Sequence, residues 1–329
     1  MSSPSPHRAQ APRWRRVVIA LGKLALSAGL VVALAWWADW RAVGATVRGA
    51  NRALLAAAFL VVLPTVPLSA WRWSRCARAS GMELPLGFFM RATYAGTFAG
   101  QFLPAGVGTD AVRLGFVLHR QARLGAALQS LLLDRLVGVL TVVAVMAAGL
   151  PHIWSLLPHV LRLFAVALII GAVGGLGCMW GLRHLNWLRD LAGHGKRRKL
   201  IELVFAVRGS LLSRHVLIAF VVSAAIYLSG NGAVTLIAEA LGMRVSYVDV
   251  LAVVSMAVFA SMLPISVNGW GVREGAMVLG LSVLGVPKAT ALAISILFGF
   301  GSALATLPGA FTWLVGRYQV ADGTSLQDL

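Results

Sequence analysis

Two charged residues stand where charge is expensive. Asp134 and Arg135 lie in Ser130-Leu-Leu-Leu-Asp134-Arg135-Leu-Val-Gly138, within an apolar stretch running from about 125 to 150. Nine residues into a helical span is roughly 14 Å deep, near the bilayer midplane. A charge there costs about 2.5–3.5 kcal/mol on insertion scales unless it meets a partner or water. Adjacent helical residues point about 100° apart, so these two cannot fully satisfy each other and each needs a partner from another segment. Two other places offer such partners: Asp110 and Arg113, and Arg273 and Glu274. The expected arrangement is a central cluster of these six residues. In it Arg113, Arg135 and Arg273 face a lipid phosphate and the acids hold them in place. The competing reading is a structural ion-pair network that only locks the helices together.

Both groups follow interrupted apolar stretches. Residues 86 to 103 end at Pro104-Ala105-Gly106-Val107-Gly108, and residues 250 to 263 end at Pro264, followed by Asn268-Gly269-Trp270-Gly271. Proline removes a backbone donor and glycine permits a tight reversal, so both sequences open the helix. Unpaired backbone at membrane depth survives only where protein or a water-filled cavity satisfies it. The freed N–H groups at the next helix start suit an anionic head group. Pro104, Gly106, Gly108, Pro264, Asn268, Gly269 and Gly271 therefore join the candidate lipid-binding residues; packed kinks without a ligand are the alternative.

Other chemistries find little support. The seven histidines are scattered with no pair at ligand spacing, and Cys76 and Cys178 stand alone, so neither a metal nor another cofactor is expected. Gly171-Ala-Val-Gly174-Gly175-Leu-Gly177 lacks the Lys-Ser/Thr of a phosphate loop and reads as close helix packing. Ser229-Gly230-Asn231-Gly232 reads as packing within a span. The pairs Trp36/Trp37 and Trp71/Trp73 read as interface anchors.

The elements that must position these residues follow from composition. Of 329 residues, 59% are apolar and 12% charged, with a mean hydropathy of +0.82. A soluble domain carries roughly 25% charged residues, so the chain is an all-α polytopic membrane protein. Its net charge of +18 would suggest nucleic acid in a soluble chain; here it is an orientation signal, and no nucleic-acid partner is expected.

A first span is expected at Val17 to Trp37, uncleaved, after a basic cytoplasmic segment of residues 1–16. Further full-length stretches lie at about 53–71, 125–150, 160–182, 215–240 and 290–316, each near or beyond the roughly 20 residues a crossing requires. If the interrupted stretches also crossed, the most basic loop, 183–214 with eight Lys/Arg, would face outside and violate the positive-inside rule. If each dips in and returns, 19 of 29 Lys/Arg fall on the cytoplasmic side, in 1–16, 72–85, 105–124, 183–214 and the tail. The expectation is thus about six full spans plus two re-entrant hairpins, with both termini cytoplasmic in an inner membrane. Residues 17–316 form one integral domain, followed by a short tail at 317–329.

The two interruptions also resemble each other. Pro104-Ala-Gly-Val107-Gly-Thr-Asp-Ala-Val112-Arg113 aligns without gaps on Pro264-Ile-Ser-Val267-Asn-Gly-Trp-Gly-Val272-Arg273, with four of ten positions matching. Three spans lie between them, so the hairpins enter from opposite faces. That is the pattern of an inverted repeat, with halves at about 17–150 and 160–316.

The ordered motifs Phe102-Leu103-Pro104-x-Gly106-Val107-Gly108-x-Asp110-x-x-Arg113, Ser130-x-x-x-Asp134-Arg135-x-x-Gly138 and Leu263-Pro264-x-Ser266-x-x-Gly269-x-Gly271-x-Arg273-Glu274-Gly275 resemble the lysylphosphatidylglycerol synthetase transmembrane-region family of flippase-like membrane proteins. The resemblance covers nearly the whole chain. It implies a region that moves aminoacylated phospholipid in larger members, whose separate soluble domain makes that lipid; relatives are linked to hopanoid or polyprenyl lipids. Only twelve residues follow Arg317 here, so the membrane part alone is implied. Ala105, Thr109 and Asn268 stand where the family tends to have glycine, which bears on substrate choice. The function expected is non-enzymatic translocation of a lipid with an anionic head group. The alternatives are an integral-membrane transferase in lipid or glycan synthesis, or a non-transporting partner that docks a lipid-synthesis enzyme on the basic 183–214 loop. That loop also suits anionic head groups directly, at about 1 kcal/mol per basic residue near the surface.

Overall fold

The computed structural model describes residues 40–101, 107–120, 123–181, 196–262 and 271–312. Helices form the regular structure of all of these: α1 Trp40–Arg48, α2 Arg52–Val62, α3 Thr65–Ala79, α4 Leu86–Gly100, α5 Val107–His119, α6 Leu124–Ile153, α7 His159–Gly181, α8 Lys196–Ser210, α9 Arg214–Ala240, α10 Tyr247–Met262, α11 Val272–Val283 and α12 Lys288–Ala305.

Five segments are long and apolar enough to cross a membrane: Arg52–Ala79 (α2 and α3 together), Leu124–Ile153, His159–Gly181, Arg214–Ala240 and Lys288–Thr312. They coincide with five of the six full stretches expected; the sixth, Val17 to Trp37, lies outside the described residues. Helix ends carry local signals. Asn51 caps α2 by accepting from the N–H groups of Ala53 (3.0 Å) and Leu54 (3.3 Å), and its own N–H donates to the Ala240 carbonyl (2.8 Å), which ties α2 to the end of α9. Gly242, at φ 79°, closes α9 by the bond from Met243 N–H to the Ala238 carbonyl (2.9 Å).

The four helices beside the interruptions are short. At 15, 13, 16 and 12 residues, α4, α5, α10 and α11 reach only about 18–24 Å each at 1.5 Å per residue, less than a hydrocarbon core of about 30 Å. Each pair packs against itself, α4 on α5 and α10 on α11. Gly96 permits the first contact: a Cβ there would lie 2.9 Å from the Thr109 carbonyl oxygen and 3.3 Å from Arg113 Cγ. The α10 helix also packs extensively on α6, where a Cβ on Gly149 would lie 2.5 Å from the Val248 carbonyl oxygen and 2.8 Å from the Ala252 nitrogen.

The main core gathers Met146, Ile153, Ile237, Met277, Leu281 and Ile294 from α6, α9, α11 and α12. A second core holds Trp73, Phe89 and Val117, with the Trp73 and Phe89 rings edge to face at 4.9 Å.

Two sequence expectations need correction. The stretch 53–71 does not end at Trp71: helix continues to Ala79, so Arg72 belongs to the bundle and not to a cytoplasmic loop. Trp73 is fully buried and therefore is no interface anchor. Among the described residues, nothing lies within 4 Å of a Cβ at Gly171, Gly174, Gly175 or Gly177 on α7. Asn231, by contrast, is buried, and its amide donates to the Tyr227 carbonyl (2.7 Å) within an unbroken α9.

Candidate functional site

Asp134 is 3% exposed and serves two arginines at once. Arg72 Nε donates to its Oδ1 (2.7 Å) and Arg72 Nη2 to its Oδ2 (3.2 Å), a two-pronged contact from α3. Arg113 Nη1, from α5, donates to the same Oδ2 (3.2 Å). Fork-to-carboxylate geometry of this kind is the strong form of an ion pair. It also leaves one carboxylate between two guanidinium groups.

The surroundings explain the spacing Ser130, Asp134, Gly138, which places all three on one face of α6. Ser130 Oγ accepts from Trp73 Nε1 (3.3 Å) and donates to the Ala127 carbonyl (2.8 Å), fixing the indole over which the Arg113 guanidinium lies at 5.2 Å from the ring centre. At Gly138 a Cβ would lie 3.3 Å from Tyr227 Oη and 3.5 Å from Arg72 Nη1, so the glycine gives both groups room. Arg72 Nη1 also donates to Ser223 Oγ on α9 (3.2 Å), and Arg113 Nη2 to Ser69 Oγ on α3 (3.5 Å).

Arg135 faces another way and pairs with Asp110 on α5 (2.8 Å). This pair is more open, with side chains 43% and 26% exposed. Gly108, two residues before Asp110 on α5, is buried.

At the second interruption, Gly271 has φ 85° and precedes α11. Its N–H donates to Glu274 Oε2 (2.6 Å), while Glu274 Oε1 accepts from Arg273 Nε (3.0 Å). Adjacent residues meet here because Glu274 turns back over the first turn of the helix. Gly299 on α12 leaves the space that the Arg273 guanidinium fills. A residue with a side chain at Gly271 is strained: Gly271→Ala is expected to cost about 1–2 kcal/mol. Thermal unfolding in detergent checks this against Gly275→Ala, where nothing lies within 4 Å of the added Cβ and little change is expected.

The described contacts thus arrange the six expected charges in three groups: Asp134 with Arg113, Asp110 with Arg135, and Arg273 with Glu274. Pro104, Gly106, Pro264, Asn268 and Gly269 lie outside the described residues. Sequence reasoning missed Arg72, Ser69, Ser223 and Tyr227. The signal for the first two was present, since Val66, Ser69, Ala70, Trp73, Cys76 and Ala77 continue the inward face of α3 past Trp71 at helical spacing, with Arg72 beside it.

Residues 20–309 match the family described as the lysylphosphatidylglycerol synthase TM region. No curated protein matches the chain.

Proposed function

We propose that this chain, which belongs to the lysylphosphatidylglycerol synthase TM-region family, moves a lipid with an anionic head group from one leaflet of an inner membrane to the other without covalent chemistry. The observation that carries the reading is the Arg72–Asp134–Arg113 group. Two guanidinium groups on one carboxylate, with Arg72 and Asp134 in segments long and apolar enough to cross a membrane and Arg113 on the adjoining short helix, place phosphate-binding chemistry where a head group in transit needs it.

The short helix pairs α4–α5 and α10–α11 support the hairpin arrangement, since none of the four is long enough to cross alone. In this reading they are re-entrant, related by an inverted repeat, and enter from opposite faces. Rocking one half against the other then opens the charged centre to each leaflet in turn. The Asp110–Arg135 pair, being partly open, is where an incoming head group first exchanges with a protein carboxylate.

Proteoliposomes carrying a fluorescent phospholipid in both leaflets test this through the fraction of label shielded from an external quencher. Wild type is expected to expose the inner-leaflet pool. Arg135→Ala and Arg273→Ala are each expected to slow that exposure at least about tenfold, while Arg135→Ala changes the unfolding temperature little, because exposed ion pairs contribute about 0–1 kcal/mol. Variants as fast as wild type would end the charged-path mechanism.

The proposed orientation keeps both termini and the basic run Lys196-Arg197-Arg198-Lys199 cytoplasmic. Two of the nineteen basic residues assigned to that side, Arg72 and Arg113, are buried in the bundle, and the asymmetry survives their removal. In a background with Cys76 and Cys178 replaced, Arg198→Cys should resist an impermeant maleimide in intact cells and react after permeabilisation. Reaction in intact cells would reverse the topology. The same surface is the proposed dock for a lipid-synthesis enzyme.

A further inference from the structure

We propose that the head group accepted at this site is a monoanionic phosphodiester, and that lipids whose head groups bear a net positive charge are disfavoured. The inference rests on the translocation reading and narrows its substrate by charge.

The chain has eleven acidic residues. Glu202 pairs with Arg198 and Asp249 with His152. Glu83, between α3 and α4, and Glu239, near the end of α9, are exposed, and Asp39, Asp190, Asp322 and Asp328 lie outside the described residues. Among the described residues three remain, Asp110, Asp134 and Glu274. Against them stand four arginines, Arg72, Arg113, Arg135 and Arg273, all in direct contact with those acids. Among the described residues, these groups together carry a formal charge of one positive unit.

That unit is localised. The Asp110–Arg135 and Arg273–Glu274 pairs are neutral, whereas Arg72 and Arg113 share Asp134. Arg113 Nε is buried and has no hydrogen-bond partner among the described residues, so one N–H of that guanidinium is unused. The sequences of the two interruptions, Phe102-Leu-Pro-Ala-Gly106 and Leu263-Pro-Ile-Ser-Val-Asn-Gly-Trp270, contain no Asp or Glu. Neither sequence can supply a carboxylate.

A buried charge without a counter-charge is strongly unfavourable, and a phosphodiester supplies one negative unit in the planar, two-oxygen form that guanidinium groups match. A zwitterionic head group adds no net charge. A lysyl ester of a phosphodiester lipid carries one phosphate charge and two ammonium charges, so it raises the positive charge of the centre and places an ammonium beside arginines.

The test uses the purified full chain and lipids labelled on the acyl chain, so that head-group charge is intact. In neutral phosphatidylcholine vesicles, initial rates are compared for phosphatidylglycerol, phosphatidylethanolamine and lysylphosphatidylglycerol. Phosphatidylglycerol is expected to move at least about tenfold faster than either of the others. Equal rates, or the lysyl ester moving fastest, would overturn the charge assignment while leaving translocation standing.

Thermal unfolding in detergent doped with each lipid gives a readout independent of transport. Phosphatidylglycerol should raise the unfolding temperature and lysylphosphatidylglycerol should not; equal shifts overturn the proposal even if no lipid moves, and absence of movement with this selective shift overturns only the translocation reading. Arg113→Gln makes the triad neutral and is expected to collapse the preference to within about twofold in both assays. A preference that persists in Arg113→Gln overturns the proposal.

Discussion

Replacing Asp134 by asparagine is expected to destabilise the bundle by about 3–5 kcal/mol, the range seen when one partner of a buried ion pair is removed. The reason is specific to its geometry. Both oxygens of this carboxylate are engaged, by Arg72 at 2.7 and 3.2 Å and by Arg113 at 3.2 Å, and the substitution leaves two buried guanidinium groups facing each other. Arg113→Met is the informative comparison, because it leaves Arg72 and Asp134 as a neutral pair and is expected to cost markedly less. Unfolding by denaturant in detergent measures both. Equal losses would show that the two arginines do not depend on the shared carboxylate.

A second large effect is expected at Gly149. The longest span meets the second short helix pair there, and the obstacles to a Cβ are backbone atoms of α10 at 2.5 and 2.8 Å, which cannot rotate away as a side chain would. Gly149→Ala must separate α6 from α10, at a cost of about 1–3 kcal/mol for overpacking. It should also disturb the pairing of His152 with Asp249 at the same end of the two helices. Gly171→Ala on α7 is the contrasting case: its Cβ meets nothing within 4 Å among the described residues, and alanine favours helix by about 1 kcal/mol over glycine. Similar unfolding temperatures for the two variants would contradict the packing described for α6 and α10.

Much of this architecture is legible in the sequence because span length and hydropathy are set by the bilayer. The stretches 125–150, 160–182 and 215–240 reappear as Leu124–Ile153, His159–Gly181 and Arg214–Ala240, within three residues at each end. The depth of Asp134 and Arg135 likewise announces that each needs a partner from elsewhere, and the 100° step between them agrees with their pairing to different residues, Asp134 with Arg72 and Arg113 and Arg135 with Asp110. What hydropathy hides is a charged residue at the end of a span. Arg72 reads as the start of a loop, because its charge lowers the local apolar average, although the small and apolar residues around it keep the spacing of an inward helix face. Trp73 misleads for a similar reason: a tryptophan near a span end usually sits at the interface, but here Ser130 provides its hydrogen-bond acceptor inside the bundle.

The most direct test of the central claim follows the head group itself. Phosphatidylglycerol carrying a photoreactive group on its head group is activated in proteoliposomes containing the full chain, and labelled peptides are mapped. The account predicts labelling within Val107–His119 and Leu124–Ile153, the helices that bear Asp110, Arg113, Asp134 and Arg135, and loss of that labelling in Arg135→Ala. Labelling confined to His159–Gly181, the helix most exposed to surrounding lipid, would mean that the head group never enters the charged centre.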